Sequence, residues 1–98
     1  MFRFADVDPR TLHLPTTRFD GAVPAKFTRQ LEKYGKSVVG MPPIEVNEDA
    51  DGRLVIVDGV TRATRVARLL PGQTVRVKIM DSEPRSVAAY PTVGDRLP

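Results

Sequence analysis

Apolar and polar positions alternate from Phe2 to Val7, a period-2 pattern that ends at Asp8-Pro9 and predicts a short opening strand. The stretch "LHLPTTRFDG" that follows shows no period and reads as irregular. From Val23 the spacing widens to four, four and three residues through Phe27, Leu31 and Tyr34, which predicts a helix. Pro24 suits its first turn and Gly35 its end. Lys26, Arg29, Lys33 and Lys36 form a basic stripe on the face opposite the apolar one.

Pro42 and Pro43 exclude helix and open the strand "PIEVN", which leads through the turn-forming "EDADG" to a second strand, "RLVIV". The two read as a hairpin. Leu54 to Val57 is apolar at every position, the pattern of a strand covered on both faces. After Gly59 the apolar set becomes Val60, Ala63, Val66, Ala67 and Leu70, one stripe of a second helix that Pro71-Gly72 ends. On this spacing Arg65 and Arg68 point away from the core and Arg62 sits at the border. Val75, Val77 and Ile79 alternate with Arg76, Lys78 and Met80 in a last strand. Beyond it three prolines predict a mostly irregular segment with a short extended piece at Val87 to Tyr90. The pattern predicts a two-layer α+β domain over residues 1–81, with a small mixed sheet of about four strands packed by two main helices, and an irregular C-terminal tail over 82–98.

Composition narrows the chemistry. At 98 residues, 41% of them hydrophobic, the chain suffices for one small domain with its own core. No cysteine is present, which excludes disulfides, thiolate metal sites and a cysteine nucleophile. The lone histidine, His13, has no companion for an imidazole zinc site and reads as a structural or exposed residue without a partner. The N-terminus lacks the apolar core of a secretion signal and no run is long enough to span a bilayer, so the expectation is a cytoplasmic protein with no membrane partner. A net charge of +3 favours anionic partners. The stripe Lys26, Arg29, Lys33 and Lys36, if it shares a face with Arg62, Arg65 and Arg68, would follow a nucleic-acid backbone. With Phe27 and Tyr34 assigned to the core, no platform for stacking bases is apparent.

The most informative stretch is "VIVDGVTRATR", where a strand passes to a helix through Asp58-Gly59. Helix starts carry unsatisfied N–H groups and the positive end of the helix dipole, so Val60, Thr61 and Arg62 would present amides to an anion. The Thr61 hydroxyl and the planar fork of Arg62 would add donors. The plainer alternative is that Asp58-Gly59 only turns the chain, Asp58 or Thr61 caps the helix and the arginines are solvated. For phosphoryl chemistry Asp58 is the candidate base or magnesium ligand, with Glu45 on the neighbouring strand a weaker one. "NEDADGRLVIVD" also imitates a calcium loop through Asn47, Asp49, Asp51, Gly52 and Asp58, but it lies between strand patterns and a hairpin turn accounts for it.

In order and motif the chain resembles the ParB/sulfiredoxin superfamily. The resemblance is carried by Pro43, Ile44 and Val46 of a Pro-Ile-x-Val strand, by Gly59 and Arg62 of a Gly-x-x-Arg box with Ala63 and Ala67 beyond it, and by Arg18, Phe19 and Asp20 upstream. It spans about Val7 to Asp81. It implies a nucleotide or phosphate pocket at the turn, with Gly59 allowing close approach, Arg62 on phosphate, Arg18 as a further binding residue, and a nucleotide with Mg2+ as ligand. Val60 and Thr61 stand where the partition-protein box has Glu and Arg. The sulfiredoxin box has Cys-His there, which excludes its redox chemistry here. Two other readings stay open: a nucleic-acid-binding accessory using the basic helix face, and a catalytically inactive protein-interaction module that has kept the fold.

Overall fold

A computed structural model of the chain describes residues 2–98. The opening alternation forms β1 (Arg3–Val7) and the widened spacing forms α1 (Pro24–Tyr34), with Pro24 in its first turn and Gly35 closing it at φ 53°. The hairpin is β2 (Ile44–Glu48) and β3 (Leu54–Asp58), followed by α2 (Val60–Leu69) and β4 (Val75–Ser82). Short 3-10 turns occupy Pro9–Thr11, Thr16–Arg18 and Gly94–Arg96. The result is an α+β domain with one four-stranded mixed sheet in the order β1-β4-β2-β3. β1 runs antiparallel to β4, β4 parallel to β2, and β2 antiparallel to β3, with Val46 opposite both Ile56 and Ile79.

Strand alternation decides which side chains meet the helices. Ile44 and Val46 of β2, Ile56 of β3, and Val75 and Val77 of β4 join Ala63, Val66 and Ala67 of α2 in one core. Burial of such side chains is the main force holding the sheet to its helix layer. The small residues Ala63 and Ala67 let α2 lie close to the sheet.

Three expectations need correction here. Val57 is 55% exposed, so β3 is not covered on both faces along its whole length. Coverage on both faces is confined to Val55 and Ile56, successive residues that are both buried, and backbone groups on the strand's outer edge are paired as well. Main-chain bonds from His13 N to Leu54 O (2.9 Å) and from Ile56 N to His13 O (2.9 Å) lay residues 12–14 alongside β3. Leu14 N to Pro91 O (2.8 Å) and Val93 N to Leu12 O (2.9 Å) then lay residues 91–93 beside that segment. Both borrowed segments bury apolar side chains, Leu12, Leu14 and Val93, and the ladder groups of β3 are paired rather than left open. His13 has a partner after all: its Nδ1 donates to Tyr90 O at 2.9 Å.

The third correction concerns the tail. Residues 87–90 form a turn, closed by Tyr90 N to Val87 O (2.9 Å), not an extended piece. The tail is irregular but integral, since Val87 and Val93 are buried with the core side chains.

Asp49, drawn into the calcium-loop pattern, is only 5% exposed and its carboxylate is engaged by the backbone. Oδ1 accepts from the amides of Asp51 (3.0 Å) and Arg53 (2.8 Å), and Oδ2 accepts from Val87 N (3.1 Å). One side chain therefore shapes the β2–β3 turn and ties the tail to it. The Val87 amide foremost, then those of Arg53 and Asp51 and the Arg53 charge, hold this carboxyl below the usual aspartate range against the opposing effect of burial. Asp95 is lowered in the same way, chiefly by the Thr92 amide and hydroxyl. A carboxylate whose pKa is lower folded than unfolded stabilises the fold above the unfolded value of about 3.9 and loses that contribution as pH falls through the folded value. The midpoint of urea unfolding should hold level from pH 7 to about 5 and fall below about pH 4. Asp49→Asn should flatten that acid limb, and an unchanged limb in the variant would exclude Asp49 as its source.

Candidate anion site at the strand-to-helix turn

β3 reaches α2 through Gly59 at φ 114° and ψ 20°, a conformation side chains resist. A Cβ placed there would lie 2.9 Å from Arg62 Nη2 and 2.9 Å from Ile44 Cδ1, so the hydrogen of glycine is also a space requirement. The first acceptor of α2 is Gly59 O, bonded by Ala63 N at 2.9 Å. Among the described residues, neither Asp58 nor Thr61 caps the helix by a side-chain hydrogen bond, and the amides of Val60, Thr61 and Arg62 have no acceptor. The capping alternative is thereby set aside. Three N–H groups at the positive end of a ten-residue helix are left without a partner from the described residues.

Arg62 does not point into bulk water. Its side chain is 21% exposed, folds back over Gly59, donates from Nη2 to Pro43 O at 3.2 Å and stands 3.7 Å from Asp58 Oδ2. Its Nε is buried with no partner. A guanidinium held at the rim of the turn, with donors to spare, is pre-oriented for an oxyanion.

Around this turn opens a cleft of about 540 Å3. The 3-10 turn Thr16–Arg18 brings Arg18 to one wall, where its Nη1 donates to Thr17 O at 2.8 Å. α1 supplies Lys26, Arg29, Gln30, Lys33 and Tyr34 to another wall, and the end of β3 with the start of α2 supplies Asp58, Gly59, Val60, Thr61 and Arg62. All six residues singled out from the sequence for this site, Arg18 and Asp58 through Arg62, thus line one cavity. Five cationic side chains face a single carboxylate, Asp58, which is 67% exposed. In a recess partly screened from water such an excess of charge concentrates anions. Glu45 stands opposite Asp58 in the β2–β3 register but does not line the cleft. Among the described residues no three acidic or histidine side chains are grouped to hold a metal ion.

Not all of the basic residues considered for a nucleic-acid track share one exposed face. Arg65 is 2% exposed, not solvated, and Arg68 is turned to the chain's end, its Nε donating to Pro98 O at 3.1 Å. The reason is a second cover. α2 packs against the sheet on one side and against α1 and the α1–β2 connection on the other, so five consecutive residues, Ala63 to Ala67, are buried. Arg65 Nη1 donates to Gly35 O (2.8 Å) and Ser37 O (2.7 Å), and its Nη2 meets Met41 Sδ at 3.5 Å. Burial lowers its pKa, with the nearby Tyr34 acting in the opposite direction, but a guanidinium stays charged at any ordinary pH. Tyr34 in turn is 41% exposed rather than a core residue, and its ring faces Lys33 and Arg65 at 5.2 and 5.3 Å.

The sequence reading missed Gln30 and Tyr34 as cleft residues, and it found Lys26, Arg29 and Lys33 without seeing that they converge on the turn. Their common helical face was the available signal. The packing of α1 on α2, which aims that face at Gly59, was not.

The sequence matches no protein-family model and no curated protein. No helix among the described residues is long and apolar enough to cross a membrane.

Proposed function

We propose that this domain binds a nucleotide or other phosphorylated ligand in the cleft at Gly59, in the cytoplasm. The single observation that carries the reading is the uncapped start of α2, three free amides beside an Arg62 folded onto the turn, set in a cleft with five cations. Thr61 and Arg18 add donors at the walls. The resemblance to the ParB/sulfiredoxin superfamily supports the same pocket through Gly59 and Arg62. A Mg2+ ion brought with a nucleotide would find one carboxylate, Asp58, which is the share such ions take from a protein when phosphates supply other ligands. Asp58, the carboxylate lining the cleft among the described residues, would be the group to act as acid or base on a bound phosphate.

Titration with ATP and CTP, with and without Mg2+, tests this by thermal shift and by amide chemical shifts. The expected result is a rise in Tm with the largest perturbations at Gly59 to Arg62. Arg62→Ala should weaken binding about tenfold or more, the effect of losing a charge-assisted contact. Silence of those amides at millimolar ligand would remove the basis of the reading.

A further inference from the structure

Behind the cleft lies a second cavity of about 190 Å3, lined by Gln30, Tyr34 and Arg62, which also line the first, together with Arg65, Met41 and the α1–β2 connection. Its chemistry is unbalanced. Arg65 is a buried full charge, yet no carboxylate lies within salt-bridge distance of it among the described residues. Its Nη1 is satisfied by two carbonyls, but the opposite edge is not: Nη2 meets only a thioether, a weak acceptor, and Nε has no partner. Arg62, a residue lining both cavities, has its Nε buried and unpartnered as well. Natural interiors leave few such donors, and the Tyr34 ring 5.3 Å away offers the charge a π face but no acceptor for these N–H groups.

We infer that the second cavity is a carboxylate site, so that the ligand of this domain carries a carboxylate as well as a phosphate. A carboxylate has two coplanar acceptors at the spacing of a guanidinium's Nε–Nη2 edge, and it would replace the Met41 sulfur as partner of Nη2. The shared walls let one molecule span both cavities, its phosphate at the amides after Gly59 and its carboxylate past Arg62 against Arg65. The inference rests on the phosphate reading above and goes further, from any phosphorylated ligand to a phosphorylated carboxylic acid.

The test compares 3-phosphoglycerate with glycerol 3-phosphate, which lacks the carboxylate, on the unmodified protein by calorimetry and by the side-chain Nε–H resonances of arginine. The expected result is affinity for 3-phosphoglycerate about tenfold higher or more, with the Arg65 Nε–H signal moving only for that ligand. Equal affinities with shifted amides at residues 60–62 would overturn the carboxylate site and leave the phosphate site standing. A preference for 3-phosphoglycerate with Arg65 Nε–H unmoved would also overturn it, because the cleft's exposed lysines would then be holding the extra charge. If neither compound binds nor shifts the amides, the carboxylate site falls, while the phosphate reading is decided by the ATP and CTP titration above.

Discussion

Substituting Gly59 by alanine is expected to lower Tm by about 10 °C or more and to abolish the response to phosphate ligands. Two costs combine. Backbone at φ 114° is outside the regions an L-residue adopts readily, and the new methyl would press on Ile44 Cδ1, part of a fully buried core side chain. Strain and overpacking together should cost about 2–4 kcal/mol. The methyl would also displace the Arg62 guanidinium from the turn, so binding should suffer beyond what instability explains. The check is a denaturation curve together with a titration at a temperature where the variant is still folded. A variant that is fully stable and still binds would mean that neither the conformation nor the close approach matters.

Arg65→Ala should be the other severe change, destabilising by about 3 kcal/mol or more. The loss has an uncommon source. Gly35 O and Ser37 O would lose their donor, and a cavity would open beneath the α1–β2 connection. Arg65→Lys keeps the charge and the reach of a donor but not the fork, and should recover part of the loss without all of it. Urea unfolding of the three proteins measures the difference. If alanine costs less than about 1 kcal/mol, the guanidinium is not what pins the connection.

Much of this was legible in the linear pattern. Periods of two and of three to four residues place β1, α1, the hairpin, α2 and β4 within a residue or two of their observed ends, because each has one face toward the core and its turns carry Pro, Gly or Asp. Asp58 to Arg62 were singled out for a local reason, since a strand entering a helix through glycine exposes amides whatever surrounds it, whereas Arg18 came from the family resemblance alone. Arg65 was misplaced because its helical angle is set opposite the sheet, and only tertiary packing reveals that α1 and the connection cover that side too. Tyr34 erred in the reverse direction, with apolar spacing but a place at the end of its helix beside an open cleft. The role of residues 12–14 and 91–93 could not be read at all, because three-residue rungs carry no period and their partners are distant in sequence.

That last pairing orders the birth of the fold. The outer side of β3 is closed by one segment near the beginning of this sequence and, beyond it, by another within its final eight residues. A nascent chain emerging from the ribosome can therefore assemble its helices and the β2–β3 hairpin while the far rung is still unmade. Zipping of that seam, with its long loops to close, must wait until Pro91 to Val93 are free, so it follows the pairing of the segments that precede it in sequence.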